Sequence, residues 1–212
     1  MDKNLSYLLV GWFLGLLSPL IISLFQRRKN KNEVEKCLFS ELDETRYKFV
    51  CLLYSLTGTR GQWNHEFFEW INPYYDSYQG IYQDKRMLKS LNEHLKLTEE
   101  QISFLNKNNT DSPNKSKSLK KYYLSFLESN INYISLFSVN IQRQLLDLRS
   151  QMLVFNDLVD ESQKYHFMTF DSSLSDENQN IVKINIEGLF DSVIKRSKYI
   201  IESIDGLISK FE

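Results

Sequence analysis

The sequence has 212 residues and a formal net charge of −1 at pH 7. This charge balance excludes a global basic field of the kind that attracts nucleic acid. The 14 Phe and 12 Tyr argue against intrinsic disorder. Two cysteines, Cys37 and Cys51, fall in one predicted helix too far apart to form a disulfide, which fits a reducing compartment.

The first predicted element is a transmembrane helix over residues 5–25. This run has 21 residues without a charged side chain, enough at about 1.5 Å per residue to cross the ~30 Å hydrocarbon core of a bilayer. A cleaved signal peptide is the alternative. It fits poorly, because the basic cluster follows the apolar run and the chain has no alanine for an Ala-x-Ala cleavage site. Residues 1–26 are therefore predicted to form an N-terminal tail and one transmembrane helix.

The flanking charges predict the orientation of that helix. Arg27, Arg28, Lys29 and Lys31 follow the apolar run, whereas Lys3 alone precedes it, beside an aspartate. Positive charges collect on the cytoplasmic side of a membrane. We therefore expect a single-pass protein with its N-terminus outside and a cytosolic domain over residues 27–212.

Helical periodicity dominates the predicted cytosolic domain, and strand signals are weak. A first helix is expected from about Asn32 to Leu56, either separate from the membrane helix or continuous with it as one rod. Gly58 and Gly61 favour a turn after it. About 185 residues follow the membrane segment, enough for one compact domain with a core.

Local capping signals predict the next elements. Asn64 is expected to cap a short helix over residues 65–71, which Pro73 ends, and an aromatic-rich helix follows over residues 74–95. Thr98-Glu-Glu-Gln101 is typical of a capping box at the start of another short helix.

The remaining chain is predicted to alternate polar loops and long helices. Residues 106–118 contain no apolar side chain and are interpreted as a loop within one domain. A helical pattern over residues 119–166 indicates either one long helix or two joined near residues 138–140. After a polar loop at 171–180, a last helix is expected over residues 181–211. The predicted fold class is thus all-α, one transmembrane helix followed by a helical bundle.

Small residues mark one face of the predicted membrane helix. Gly11 and Gly15 form a G-x-x-x-G pattern, which lets a neighbouring helix approach closely, and Pro19 is expected to kink the helix beyond them. Self-association through this face and a chance occurrence of the pattern both remain open.

The candidate catalytic pair is Arg60 and His65, an R-x-x-x-x-H at the predicted turn. A histidine can transfer the proton of a ribose hydroxyl, and an arginine can stabilise the charge on a phosphorane, so the pair suits metal-independent RNA cleavage. A structural role is the alternative, with Arg60 holding helix ends or the carboxylate of a neighbouring subunit and His65 at a capped turn. His94 and His166 have no partners at metal-ligand spacing, and neither a metal nor a cofactor is expected.

The predicted span, the helical domain and the pair Arg60 and His65 together resemble the membrane-anchored HEPN-like accessory proteins of type VI-B CRISPR–Cas systems. This resemblance implies a divergent HEPN-like bundle that forms a homo-oligomeric pore in the bacterial inner membrane. It also implies antiviral defence alongside an RNA-guided, RNA-cleaving effector, through permeabilisation or depolarisation of the membrane.

Three functions follow as hypotheses. The first is the oligomeric pore-forming effector, whose partners are the lipid bilayer and further copies of itself. The second is a membrane-tethered HEPN ribonuclease that acts on RNA through Arg60 and His65. The third is a membrane-tethered helical scaffold or adaptor, in which the Arg/His pair is accidental.

Overall fold

Helices form all the regular secondary structure in the described part of the chain. The computed structural model describes the backbone of residues 3–81, 83–110 and 119–211, and their side chains except at 3–11 and 14. The elements are α1 (Lys3–Thr59), α2 (His65–Ser77), α3 (Lys85–His94), α4 (Glu99–Thr110), α5 (Ser125–Ser129), a 3₁₀ helix (Ile131–Leu136), α6 (Val139–Met168) and α7 (Asp176–Ile208). The prediction of an all-α fold is confirmed.

The helix α1 divides into an exposed half and a packed half. It has 57 residues and continues without a break past position 26, so it is about 85 Å long. Every described side chain from Trp12 to Glu33 is exposed, and the first partly buried side chain is Val34. We call residues 12–33 the arm.

The prediction of a transmembrane helix over residues 5–25 is wrong. Within the described ranges, no helix is both long and apolar enough to cross a membrane. After Phe25 the same helix continues into Gln26, Arg27 and Arg28, so the apolar residues occupy one stretch of a longer helix that also carries charged side chains.

The predicted localisation is corrected on the same finding. A single-pass protein of the bacterial inner membrane needs a spanning helix, and the described residues contain none of sufficient length and apolar character. The predicted orientation is corrected for the same reason, since the described residues contain no spanning helix to orient. It was derived from Arg27, Arg28, Lys29 and Lys31.

The core forms where the second half of α1 packs against the hairpin of α6 and α7. Two ion pairs show that α1 and α7 are antiparallel: Arg46 to Asp205 at 2.6 Å and Arg60 to Asp191 at 2.9 Å. The core also has an aromatic centre, in which the ring of Phe49 lies 4.8 Å from that of Phe155. The fully buried aliphatic side chains include Leu42, Val50, Leu53, Leu145, Leu148, Val159, Val193, Ile200, Ile201, Ile204 and Leu207.

The start of α2 is as predicted, and its end is not. The Asn64 side chain accepts a hydrogen bond from the Phe67 backbone amide at 2.7 Å, which confirms the cap. Pro73 lies inside the helix, which continues to Ser77. Its missing N–H removes one helical bond, and burial of Ile71 and Tyr75 on either side holds the helix in place.

The predicted helix over residues 74–95 is two helices. α2 ends at Ser77 and α3 begins at Lys85, with the Asp84 side chain accepting from the Arg86 amide at 2.9 Å. The ring of Tyr78 stacks on that of Tyr47, with centroids 4.0 Å apart. This tertiary contact fixes the chain in a turn that local periodicity does not reveal.

The capping box at the start of α4 is confirmed. The Gln101 side chain accepts from the Thr98 amide at 2.8 Å, and the Thr98 hydroxyl accepts from the Gln101 amide at 3.3 Å. The predicted loop over 106–118 is wrong for its first five residues, since α4 continues to Thr110. Asn106 explains the extension, because its side chain bonds both the amide and the carbonyl of Trp63. Residues 111–118 lie outside the described residues.

The predicted junction near residues 138–140 is confirmed by the cap of α6. The side-chain oxygen of Ser138 accepts from the Ile141 amide at 3.5 Å, and α6 begins directly after it. Upstream, the chain forms α5 and the 3₁₀ helix rather than one long helix. The buried Asn156 of α6 holds this segment, because its side chain bonds the amide and the carbonyl of Tyr122 at 3.0 and 2.8 Å.

Candidate functional site

Arg60 and His65 flank the turn between α1 and α2. The amide of Gln62 bonds the carbonyl of Thr57 at 2.8 Å, and Gly61 has a positive φ of 63°. A Cβ at Gly61 would also lie 2.8 Å from the Thr110 side chain. Glycine is therefore required for both the backbone conformation and the close approach of α4.

Each member of the predicted catalytic pair bonds a different neighbour. The guanidinium of Arg60 donates to the Asp191 carboxylate at 2.9 Å and so joins the end of α1 to α7. The Nε2 atom of His65 lies 2.6 Å from the carbonyl oxygen of Leu97, just before α4. A carbonyl only accepts, so this nitrogen carries the proton and donates it. Both side chains link separate parts of the fold, and these contacts support the structural alternative.

An aromatic cluster surrounds His94, which was not predicted from the sequence. Its Nδ1 atom lies 2.9 Å from the Tyr54 hydroxyl, which also lies 3.1 Å from the Ser90 hydroxyl. The imidazole centroid is 4.8 Å from the ring of Trp63 and 5.2 Å from that of Phe68. Burial lowers the pKa of His94 below its ordinary value. This environment arises because α1, the turn after it and α2 each bring one aromatic side chain to His94 on α3, so the histidine gave no signal in the sequence.

The arm carries the residues that were predicted to pack in a membrane. Gly15 is exposed, and a Cβ added at this position would meet no atom within 4 Å, so the face on which it lies is open. Pro19 lies inside the continuous helix α1. The surroundings of Gly11 fall outside the described residues.

A basic flank follows the apolar part of the arm. Arg27, Arg28, Lys29 and Lys31 are all exposed. Lys29 lies 3.8 Å from the carboxylate of Glu33, one turn further along, and both side chains are well solvated. Such an exposed pair contributes little to stability, so these cations remain accessible to a partner.

The apolar part of the arm is the most exposed apolar surface of α1. Its exposed side chains, with 39 to 69% of their surface in solvent, are Trp12, Phe13, Leu16, Leu17, Leu20, Ile21, Ile22, Leu24 and Phe25. A surface of this kind marks a site of interaction. In the described part of the chain, no three His, Cys, Asp or Glu side chains gather as a metal site.

Comparison with known proteins adds no relative. The sequence matches no protein-family model and no curated protein, and the fold matches no solved structure. The resemblance to HEPN-like CRISPR accessory proteins therefore depends on Arg60, His65 and the helical composition, and it stays a prediction.

Proposed function

We propose that this chain is a helical scaffold protein that assembles into homo-oligomers through its arm. The single observation that carries the proposal is the run of exposed apolar side chains from Trp12 to Phe25, which projects from a bundle that is complete without it. The packed half of α1 supplies the core of one copy, and the arm is free to contact another.

The exposed area favours burial against a partner. Trp12, Phe13 and Phe25 are 60 to 69% exposed, so at about 200 Å² per side chain they leave roughly 380 Å² in water. The six aliphatic side chains enlarge this patch beyond the range of ordinary monomer surfaces. Together they approach the ~800 Å² that each partner buries in a standard interface.

The arrangement of these side chains indicates a broad contact. Trp12, Leu16, Leu20 and Leu24 form one stripe at four-residue spacing, and Phe13, Leu17, Ile21 and Phe25 form the adjacent stripe. Two adjacent stripes cover about half of a helix, which is wider than a two-helix seam. The arm therefore suits a groove or a pair of helices better than one partner helix.

The charge distribution favours a second copy as the partner. The four cations of the basic flank leave the rest of the chain with 22 Lys and Arg against 27 Asp and Glu, a formal charge of −5. Opposite charges steer association and fix the register of an interface. The arm of one copy and the body of another are complementary in this sense.

Substitution of the arm leucines tests the proposal. In the variant Leu16→Gln/Leu20→Gln/Leu24→Gln the fold should persist, because these side chains are 55 to 66% exposed. We expect the wild-type protein to sediment as an oligomer whose mass falls on dilution, and the variant to sediment as a monomer. The matched control is Phe104→Gln, which removes a side chain of similar exposure, 65%, on α4.

Two results would overturn the proposal. One is a wild-type protein that remains monomeric across the concentration range. The other is a leucine variant that assembles as the wild-type protein and the Phe104→Gln control do. Far-ultraviolet circular dichroism of each variant checks that the helices are retained.

A further inference from the structure

The hairpin of α6 and α7 carries a second exposed apolar patch at its turn. Phe167 and Phe170 are 72% and 74% exposed, and Ile181 and Ile184 are 49% and 60% exposed. We call these four side chains the hairpin tip. The buried Val182 beneath them shows that the two helices are still packed at this level.

The register of the hairpin places Ile181 and Ile184 of α7 at the level of the end of α6. The Tyr199 hydroxyl bonds the Asp147 carboxylate, and the guanidinium of Arg196 bonds the side-chain oxygen of Gln151. These pairs show that α6 and α7 are antiparallel with a constant offset. The same offset places Ile181 and Ile184 opposite residues 163 to 166, next to Phe167.

The hairpin tip and the arm lie at opposite ends of the molecule. Arg60, just beyond α1, meets Asp191, and α7 begins 15 residues before Asp191, at Asp176. Because α1 and α7 are antiparallel, the start of α7 extends about 22 Å beyond the end of α1. The arm extends the other way, from the N-terminal half of α1.

The charges around the two patches are opposite in sign. Residues 161–187, which include the hairpin tip, contain five Asp or Glu and two Lys. Hydrogen bonds from the Ser173 hydroxyl and amide hold the pKa of Asp171, in the turn itself, below its usual range. Residues 26–32 of the arm contain four Lys or Arg and no acid. Each end thus combines an apolar patch with a charge that complements the other end.

We infer that the hairpin tip of one copy binds the arm of the next copy, head to tail. This inference rests on the proposed function and names the surface that the arm meets. Such an interface is heterologous, since it joins two different surfaces, and it produces a closed ring or an open filament rather than a two-fold dimer. The paired helices of the tip provide the broad surface that the two stripes of the arm require.

Apolar substitutions separate this inference from the proposed function. Phe167→Gln/Phe170→Gln removes the two most exposed rings of the tip and leaves the arm intact, with Phe104→Gln again as the matched control. We expect the tip variant to sediment as a monomer and the control to assemble. If the tip variant assembles normally while the arm-leucine variant does not, the head-to-tail inference is wrong and the proposed function stands.

Charge reversal gives a second, more specific test. One variant carries Arg27→Glu/Arg28→Glu/Lys31→Glu in the arm, which changes the formal charge of residues 26–32 from +4 to −2. The other carries Glu161→Lys/Glu177→Lys/Glu187→Lys on exposed positions of α6 and α7 near the tip, which changes the formal charge of residues 161–187 from −3 to +3. Each alone should associate roughly tenfold more weakly than the wild-type protein at low salt. An equimolar mixture should regain assembly, because each reversed surface then meets a complementary one.

The tip variant on its own distinguishes the head-to-tail contact from arm-to-arm packing. Arm-to-arm packing predicts that the tip variant assembles as the wild-type protein does, because the hairpin tip then takes no part in the interface. Sedimentation velocity of the two variants, alone and mixed, measures this. An unimpaired tip variant or an unrestored mixture of two impaired variants would overturn the inference.

Discussion

Arg60 and His65 illustrate how two residues with catalytic chemistry serve as connections between helices. Arg60 donates to Asp191, 131 residues further along the chain, and His65 donates to a backbone carbonyl 32 residues away. A general base needs a free lone pair facing its substrate. The Nε2 atom of His65 is occupied as a donor, and only Nδ1 could accept a proton.

A double-mutant cycle tests the role of Arg60. Arg60→Met and Asp191→Asn should each lower the free energy of unfolding, and their coupling should be about 0.5 kcal/mol, because Asp191 is 56% exposed and water screens the pair. Urea unfolding of the four proteins measures this coupling free energy.

We expect purified wild-type protein to leave single-stranded RNA intact. Cleavage that Arg60→Met or His65→Gln abolishes, without loss of stability, would restore the ribonuclease hypothesis.

His94 predicts a dependence of stability on pH. Burial among Tyr54, Trp63 and Phe68 lowers its pKa from the ordinary value of 6.5. The unfolded chain then binds the proton more tightly than the folded chain, so stability is complete above pH 6.5 and falls as the pH drops below it. In His94→Gln the free energy of unfolding should differ less between about pH 7.5 and pH 5.5 than it does in the wild-type protein. Equal pH dependence in the two proteins would contradict this account.

Two asparagines act alike at the level of helices. Asn106 on α4 and Asn156 on α6 each bond both backbone groups of one residue in a distant segment, Trp63 and Tyr122 respectively. Each asparagine side chain thus forms hydrogen bonds with a backbone amide and a backbone carbonyl in a segment that is not helical. Buried backbone groups need such partners, so these two contacts attach the irregular segments to the bundle.

Removing one of these side chains should have a large effect. Asn156→Ala leaves the amide and the carbonyl of Tyr122 without partners in a buried setting, and we expect the free energy of unfolding to fall by about 2 kcal/mol. The matched control is Asn140→Ala, at an exposed position of the same helix. It should change the free energy of unfolding by less than about 0.5 kcal/mol. Urea denaturation compares the two. Similar losses for both variants would show that the Asn156 contacts contribute no special stability.

Helix starts were predictable from the sequence where the signal is local. Asn64, the Thr98–Gln101 box and Ser138 all cap helices through side chains within three residues of the bonded amide. Helix ends were less predictable. Pro73 lies within α2, and the turn after Ser77 depends on the stacking of Tyr78 on Tyr47, a contact between distant parts of the chain.

At the scale of the whole molecule, the apolar character near the N-terminus was recognised and its role was misjudged. The sequence alone does not show where the core begins along α1, and a membrane is the usual environment of such a run. The structure places the start of the core at Val34 and Leu38, leaving the arm exposed. Likewise, the partners of Arg60 and the patch at the hairpin tip depend on how α7 lies against its neighbours, which periodicity does not encode.

The continuity of α1 has a geometric consequence for any assembly of this protein. No joint separates Phe25, at the end of the apolar run, from Leu38, the first fully buried side chain. This length of helix fixes both the distance from the end of the apolar run to the first fully buried residue, about 20 Å, and the direction in which the arm's apolar stripes face. One inserted residue would turn the stripes by about 100°, whereas seven would restore their facing to within about 20° and lengthen the connection by about 10 Å. The residue count between Phe25 and Leu38 thus sets the spacing and the angle between neighbouring copies.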